Sequence, residues 1–465
     1  METIHNKNNF ETNKNDSSIS NDSPVVVALD IGTTKIVTIV GVKNKYGKIE
    51  ILAYSNVPSK GVLRGAVANI KDATESIARS VKEAADKCNV EIAEVVVGVA
   101  GQYIKSFNQS TSLTISGEEV TESDIKKMIE DIKQISAKPG EKIISIIPQD
   151  FIIDSVQGIT NPIGYSGKHI KGNFHVVAVT ESIIKNIGKC VMENKLSIQE
   201  FFLEPIASAA AVLTDEQKEA GVCLIDIGGG TTDIAIYHGN IIRHSAVITL
   251  GGNIITNDIK QICKLTEKQA EKLKIDHGYA MPFEELKSKN LKLTKPTDNL
   301  LDKTEHSQTV NAHYLAEVIN ARVEEIAQCV DMQLEISGYK DKLSSGIILT
   351  GGGSLLKNIS SVFMATLGID TSVGIPNQHI TTNIEELKSP VYSTAIGLLI
   401  LGFQNLEMNE SQNQTEKKSS LENQQKEEQE LAKKMSKNRK SLVNIFVNSI
   451  KSMFETPENL DDETK

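Results

Sequence analysis

The chain has 465 residues, a formal net charge of −10 and a hydrophobic content of 39%. Two to four domains are expected at this length, and the acidic balance without a long basic stripe argues against nucleic acid as a partner. The five cysteines are scattered and form no CxxC pair, which disfavours a metal site or disulfide framework and fits a reducing compartment. With no signal-peptide pattern and no apolar run of about 18 residues, the sequence predicts a cytoplasmic protein.

The first part of the chain alternates apolar strands with one amphipathic helix. Residues 1–22 are polar and asparagine-rich, and we expect them to be disordered. A strand over 25–29 leads into an Asp-Ile-Gly turn and a second apolar run. Residues 70–88 carry apolar side chains at helical spacing, and a buried strand is predicted over 95–100.

Residues 102–180 have a different pattern, which predicts a small inserted α+β subdomain. A strand is expected near 111–115, followed by the helix-starting capping box Thr121–Asp124. The helix is expected to end near residue 136, before the Pro139-Gly140 break. Long strands should complete the subdomain.

The second half begins with a helix of small residues, Glu204–Leu213, which can approach another backbone closely. Residues 253–338 are predicted to be mostly helical, with a polar interruption at about 281–312. A strand ends in the triglycine segment at 351–353, and a second small-residue helix is expected at 390–401.

One phrase occurs twice: an apolar run, Asp-Ile-Gly, small residues ending in Thr-Thr, and another apolar run. The copies begin at Asp30 and Asp226. Glycines let backbone N–H groups approach phosphate oxygens, and carboxylates with water are the ligands that Mg²⁺ prefers. The repeat therefore predicts two strand–turn–strand units facing a nucleotide phosphate chain and its metal ion from opposite sides. A single such turn could also be an ordinary strand end.

The repeat defines candidate binding residues. The turn residues that would cradle phosphate are Gly32, Thr33, Thr34, Gly228, Gly229, Gly230, Thr231 and Thr232. Lys35 could neutralise phosphate charge. The candidate ligands for Mg²⁺, mostly through water, are Asp30, Asp226 and Asp233.

These segments, in this order, resemble the actin-like ATPase superfamily. The resemblance implies a duplicated α/β (ribonuclease H-like) fold with two lobes around a nucleotide cleft, and ATP as cofactor. It also implies adenosine contacts from Gly351, Gly352, Gly353 and Ser354. Glu271 and Lys274 match a ribose-contacting pair, although they could equally be a solvated pair on a helix.

Within the superfamily the chain is similar to the FtsA family of bacterial cell-division proteins. The phrases that carry this similarity lie at 97–104, 147–151, 158–167, 226–233, 277–280, 348–353 and 392–399. The resemblance implies actin-like filaments of the chain itself, recruitment of later division proteins, and binding of the tubulin-like protein FtsZ. The expected FtsZ surface is subdomain 2B, residues 252–330. The expected location is the cytoplasmic face of the cell membrane at midcell.

The corresponding domain prediction combines the repeat with the insertions. It places the first actin-like subdomain at 23–101 and 181–220, the inserted subdomain at 102–180, the second actin-like subdomain at 221–251 and 331–402, a flexible linker at 403–438, an amphipathic helix at 439–456 and a polar tail at 457–465.

The C-terminal helix has one apolar face and follows a basic cluster, which predicts binding to anionic lipid at a membrane surface. The side chains expected at the membrane are Leu442, Val443, Phe446, Val447, Ile450, Met453, Phe454, Arg439 and Lys440. Packing of this helix on its own domain or on a partner is the alternative.

Hydrolysis would need a group that orients water near the γ-phosphate. Glu204 stands where Glu-Pro relatives carry that acid, so slow ATP hydrolysis at most is predicted. Glu204 could instead only cap its helix. A sugar or acetate kinase, a chaperone-type ATPase and a pilus-assembly ATPase of the same fold are the rival interpretations.

Overall fold

The computed structural model describes residues 9–10, 24–136, 138–293, 308–376, 380–382 and 384–410. The chain forms two compact units, residues 1–403 and 404–465. The predicted membrane helix at 439–456 and residues 411–438 of the predicted linker therefore lie outside the described residues, whereas the first residues of that linker, 403–410, are helical rather than flexible coil. No helix in the described part is both long and apolar enough to cross a lipid bilayer.

The first lobe is built on a six-stranded sheet. Its strands, in spatial order, are Ser197–Leu203, Glu94–Val99, Val25–Ile31, Lys35–Lys43, Ile49–Pro58 and Ile380–Thr381. The helices Ile70–Cys88 and Glu181–Glu193 pack against it. The central strand Val25–Ile31 is buried at every position, as its apolar residues 25–29 require, and Asp30 near its end is buried with them.

The inserted subdomain is a four-stranded antiparallel sheet covered by one helix. The strands in spatial order are Val156–Ile159, Glu141–Ile153, His169–Thr180 and Ile104–Thr114. The helix Glu122–Ser136 packs on the sheet through the fully buried Met128 and Ile132. The capping box forms as predicted, since Asp124 accepts from the Thr121 backbone N–H at 3.0 Å.

The second lobe is built on a five-stranded sheet. In spatial order its strands are Ile241–Ile248, Thr232–His238, Val222–Ile227, Ile347–Thr350 and Thr371–Val373. The α-helices of this half are Asp215–Ala220, Gly252–Ile262, Glu267–His277, Ala312–Ser337 and Ile359–Leu367. Short 3-10 helices cover Glu284–Leu286, Lys340–Lys342, Gly352–Leu355, Glu385–Lys388 and Pro390–Tyr392.

Two helices of small residues connect the lobes. The first connecting helix is Glu204–Val212, and the second covers residues 393–410. A Cβ atom at Gly397 would lie 1.7 Å from the carbonyl oxygen of Ala207. The helices therefore touch backbone to backbone, which confirms the close approach expected from their small residues.

Several elements differ from expectation. The strand predicted at 111–115 begins at Ile104, because its polar first half lies at an edge of the inserted sheet and lacks an apolar signal. The described ends of the 281–312 interruption form a hairpin, Asn290–Leu293 with Gln308–Asn311. Asn9–Phe10, expected to be disordered, pairs with Val90–Glu91 because that short strand offers unpaired backbone groups. Another two-stranded pair joins Val62–Leu63 to Ala66–Val67.

Candidate functional site

The two repeated turns meet face to face between the lobes. A Cβ atom on Gly229 would lie 2.4 Å from Cγ2 of Thr34, and one on Gly230 would lie 2.6 Å from Oγ1 of Thr33. Real Cβ atoms do not approach other atoms so closely, so a side chain at either position would require the facing threonine to move. The structure thus brings the two turns together as the repeat predicted.

The second turn also supports the start of the helix Gly252–Ile262. The carbonyl of Gly228 accepts from the Gly252 N–H at 2.9 Å, and that of Gly229 accepts from the Asn253 N–H at 2.8 Å. The Thr232 hydroxyl donates to the Leu250 carbonyl at 2.8 Å. The Thr232 side chain thus fixes the position of Leu250, two residues before the helix Gly252–Ile262 begins.

Asp226 lies at the end of a buried strand and is held by both connecting helices. Its Oδ2 accepts from the hydroxyl of Ser208 at 2.6 Å and from that of Thr394 at 3.1 Å. Neither hydroxyl was predicted from the sequence to be a site residue. The available signal was weak, since Ser208 and Thr394 are hydroxyl residues among small and apolar neighbours, and only the helix crossing brings them to one carboxylate.

Asp233 is buried, and its carboxylate is only half satisfied. Oδ2 accepts from the Thr231 hydroxyl at 3.0 Å. Among the described residues, no group hydrogen-bonds the other oxygen, Oδ1, which is also shielded from solvent. A buried carboxylate oxygen without a partner is costly, so this atom is suited to a water molecule or hydrated cation.

Burial and mutual repulsion raise the pKa values of the acids in this cleft. Burial raises the pKa of Asp30 to about 6, with Lys35 opposing the rise and Asp226 adding to it. Burial also raises the pKa of Asp226, which Ser208 and Lys35 lower in part. Burial, then Asp226, raises the pKa of Asp233 well above its usual range. A divalent cation would relieve this repulsion.

The donor set fits a cation that keeps its water shell. Asp30, Asp226 and Asp233 influence one another electrostatically. Within the described ranges, however, no group of three or more His, Cys, Asp or Glu side chains is arranged to hold an ion directly. Mg²⁺ commonly retains several waters and takes few protein ligands, so these carboxylates suit it better than ions that need a closed protein cage.

Lys35 reaches from the first turn to the segment before the second connecting helix. Its ammonium group donates to the Val391 carbonyl and lies 5.3 Å from the centre of the Tyr392 ring. Burial lowers the pKa of Lys35, while Asp30, Asp226 and Glu204 raise it. The cation thus sits among the acids, and its contact with Val391 ties the first turn to the second half of the chain.

Glu204 is the first residue of the first connecting helix. Its side chain lies over Gly98, where a Cβ atom would be 3.2 Å from Oε1. Burial raises its pKa well above the usual range, and Asp30, Asp233 and Asp226 add to this effect. Glu204 therefore shares the electrostatic environment of the cleft and is more than a helix cap.

The triglycine segment packs on the strand that carries Asp226. Gly351 has φ of +80°, and a Cβ atom there would lie 2.1 Å from Oδ1 of Asp226. A Cβ atom on Gly353 would lie 2.3 Å from Cγ2 of Ile227. Gly352 has open space around it. The Ser354 hydroxyl donates to the Gly351 carbonyl at 2.7 Å, so it stabilises the segment's own turn.

In the pair Glu271 and Lys274 the lysine is buried, whereas the Glu271 side chain is 42% exposed. Lys274 is 9% exposed, and its ammonium group lies 2.8 Å from Oε2 of Glu271. It also donates to the Gly252 carbonyl at 2.9 Å and to the Thr256 hydroxyl at 2.7 Å. The pair therefore joins the helix Glu267–His277 to the helix that starts on the second turn. Burial lowers the pKa of Lys274.

Two lobes related by a repeated turn, joined by crossing helices and facing one another across a cleft of buried carboxylates, define an actin-like protein. A chain of the PilM-PilN type IV pilus biogenesis complex has the same fold, with a TM-score of 0.60 over 81% of this chain and 98% of that one. At 17% identity this likeness shows the fold alone.

The chain belongs to the FtsA family of cell-division proteins. The family model for cell division protein FtsA matches residues 223–397, and the model for the SHS2 domain inserted in FtsA matches residues 101–178. Cell division protein FtsA of Pseudomonas aeruginosa is 34% identical over 82% of this chain and 89% of its own length. The protein of the same name from Neisseria meningitidis is 36% identical, over 80% of this chain and 89% of its own. The prediction of an actin-like cell-division protein with an inserted α+β subdomain is thereby confirmed.

Proposed function

We propose that the cleft binds ATP together with Mg²⁺ and that nucleotide binding governs the part this protein takes in cell division. The single observation that carries the proposal is the unpaired, buried Oδ1 of Asp233, which lies beside two glycine turns in close contact. Such an arrangement is unfavourable unless a cation or its water completes it. The glycine turns supply the close backbone approach that phosphate groups need.

The roles of the residues follow from their positions. Asp30, Asp226 and Asp233 hold the hydrated Mg²⁺, and Lys35 neutralises phosphate charge. Mg²⁺ supplies charge neutralisation for the phosphate chain when it is bound. The turn glycines and threonines of both repeats surround the phosphates. The segment 351–354 and the pair Glu271–Lys274 form the adenosine side of the cleft.

Glu204 gives the site a slow ATPase at most. Burial, and then the metal-binding acids, raise the pKa of its carboxyl group, and we assign it the role of orienting water. Arrival of a cation would lower that pKa and leave the carboxylate available as a hydrogen-bond acceptor. Turnover by a Glu204→Gln variant should therefore fall while ATP affinity is retained.

Equilibrium binding of ATP in Mg²⁺ tests the cleft directly. Asp226→Asn keeps the size of the side chain and its bonds to Ser208 and Thr394 but removes the charge. We expect ATP affinity to fall by a factor of about ten or more. Asp276→Asn, at an exposed site on the helix Glu267–His277, is the matched control. Equal affinity of the two variants would contradict the assignment.

Family membership supports a further proposal for the partners. The chain polymerises into actin-like filaments, binds FtsZ through residues 252–330 and recruits later division proteins. It lies at midcell on the cytoplasmic membrane face, held by the basic and apolar residues of 439–456 on anionic lipid. That helix lies outside the described residues, so the sequence pattern alone supports its role.

Vesicle sedimentation tests the membrane proposal. Full-length chain should pellet with vesicles that contain anionic phosphatidylglycerol, and a chain lacking residues 439–456 should stay in the supernatant. ATP binding should be the same for both, because the cleft lies in the other unit. Unchanged sedimentation of the truncated chain would contradict the proposed role of residues 439–456 in membrane binding.

A further inference from the structure

The inserted subdomain is bonded to the second lobe, although the chain enters and leaves it from the first lobe. Its partner is the edge strand Ile241–Ile248 of the second-lobe sheet. The hydroxyls of Ser106 and Ser245 are 2.7 Å apart, and Nε2 of His175 lies 3.0 Å from the Ser245 hydroxyl. Two strands of the insert therefore meet one serine of the opposite lobe.

Further polar contacts extend this junction along the same strand. The Gln149 side-chain amide donates to the Ile242 carbonyl, and Arg243 lies 3.6 Å from the Asp150 carboxylate. Asp150 also accepts from the side-chain amide of Asn173 at 2.6 Å. The junction thus consists of paired polar groups contributed by both sides.

Water is largely excluded from the centre of the junction. The exposed fraction is 3% for Ser245, 1% for His175 and 6% for Gln149. Separating the two surfaces only slightly would leave these groups buried without partners, which costs more than losing the hydrogen bonds to water. Such a junction favours two states, closed or fully parted, over intermediate positions.

The junction lies next to the acids of the cleft. Val247 is two residues from Ser245 on the same strand and pairs with Asp233 on the neighbouring strand. Residues i and i+2 of a strand, and residues directly opposite on an antiparallel neighbour, point to the same face of a sheet. The face that carries Asp233 is therefore the face that the inserted subdomain contacts.

A cavity of about 260 Å³ borders both the junction and the start of the first connecting helix. Its lining includes Leu203 and Pro205, the two neighbours of Glu204, together with Ser106, Ser245 and Val247. Glu204, proposed to orient water, and Asp233, proposed to hold the metal ion, thus both adjoin residues that border this cavity.

We propose that the inserted subdomain is a latch that bonds to the second lobe through Ser106, His175 and Ser245 and holds the nucleotide cleft closed. Release of nucleotide requires the lobes to part, and parting them breaks this junction. A partner that pulls the inserted subdomain away would thereby accelerate exchange. The inference rests on the proposed nucleotide binding and adds a control element to it.

A reversible cross-link tests the latch in the full chain. The Ser106→Cys/Ser245→Cys variant places two thiols where the hydroxyls now touch, at a separation that a disulfide can span. The control pair Ser112→Cys/Lys171→Cys joins two neighbouring strands inside the insert, where these residues are directly opposite. Wild type and the single variants, treated with the same oxidant, show whether any of the five native cysteines forms a disulfide under these conditions.

The measurement is release of a fluorescently labelled ATP in Mg²⁺ on chasing with unlabelled ATP, before and after reduction. Oxidation of the bridging pair should slow release about fivefold or more, and reduction should restore it. The control pair should show no change. Ser245→Ala should release nucleotide faster than wild type.

Three results would overturn the latch. The first is a complete cross-link with unchanged release, and the second is failure of the two thiols to cross-link at all. The third is wild type that binds no labelled ATP, which would remove the proposed nucleotide function and this coupling with it. The first two leave nucleotide binding intact, so the failures can be distinguished.

Discussion

Gly397 of the second connecting helix packs directly on Ala207 of the first, with room for no side chain between them. This contact fixes where the two helices cross. It also sets the positions of Ser208 and Thr394, which both donate to Asp226. The geometry of the proposed phosphate site thus depends on a close backbone contact at the helix crossing.

Replacing Gly397 by Ala should destabilise the fold strongly. The added Cβ would lie 1.7 Å from the Ala207 carbonyl oxygen, so the helices must move apart. We expect the free energy of unfolding to fall by about 3 kcal/mol in urea denaturation. Gly188→Ala is the control, because Gly188 lies in the helix Glu181–Glu193 with nothing within 4 Å of the added atom. The free energy of unfolding of the Gly188→Ala variant should rise by up to about 1 kcal/mol. Equal losses of stability in the two variants would contradict a close helix contact at Gly397.

Replacing Gly351 by Ala should weaken both stability and ATP binding. The change combines a left-handed φ of +80° with a clash against Asp226. Gly368→Ala separates the two effects, since Gly368 has φ of +68° but open space around it. The control should lose about 1 kcal/mol, from the backbone conformation alone. Gly351→Ala should lose more and bind ATP about tenfold more weakly by calorimetry. Normal ATP affinity in that variant would argue against contact with the nucleotide.

Neutralising Asp30 should stabilise the protein in the absence of nucleotide while weakening ATP binding. Because burial raises the pKa of Asp30 from 3.8 to about 6, the folded state binds its proton more tightly than the unfolded chain does. The protonated Asp30 therefore contributes to folding stability fully below pH 3.8, and this contribution is lost as the pH rises through about 6. At pH 7.5 the free energy of unfolding of the Asp30→Asn variant should therefore be about 1 to 3 kcal/mol higher than that of wild type. Lower stability in the variant would mean that the carboxylate has a favourable partner.

Acid should weaken the junction at His175. Burial, with a smaller effect of His244, lowers the pKa of His175 from 6.5 to about 4. The unfolded chain thus takes up this proton first, and stability is lost as the pH falls from about 6.5 towards 4. The loss attributable to His175 should be about 1 to 3 kcal/mol.

The comparison with His175→Gln isolates that contribution. The difference in free energy of unfolding between wild type and this variant should shrink as the pH is lowered from 7 to 4.5. Urea denaturation at each pH measures it. His169→Gln, at an exposed position on the same strand, should keep the wild-type pH dependence. Parallel curves for wild type and His175→Gln would contradict a neutral, buried His175.

The sequence predicted the repeated turns, the inserted subdomain and both connecting helices because each has a local signal. The turns are runs of glycine and threonine at strand ends, and the connecting helices are runs of small residues. The capping box at Thr121–Asp124 forms as predicted for the same reason. Local chemistry was sufficient in each case.

Contacts between distant segments could not be predicted in this way. Ser208 and Thr394 meet at Asp226 only because their helices cross, and nothing in either helix sequence indicates the other. His175 and Ser245 meet across two lobes for a similar reason. The burial of Lys274 was likewise missed, since a Glu-Lys pair on a polar helix is normally exposed.

We propose above all that the cleft holds ATP through a hydrated Mg²⁺ on Asp30, Asp226 and Asp233. Calorimetric titration of the full-length chain with ATP, once in excess Mg²⁺ and once in EDTA, tests it most directly. We expect the affinity for ATP to be at least about tenfold higher in Mg²⁺, and we expect Asp233→Asn to lose this difference. Equal affinity in both buffers, or no binding in either, would contradict it.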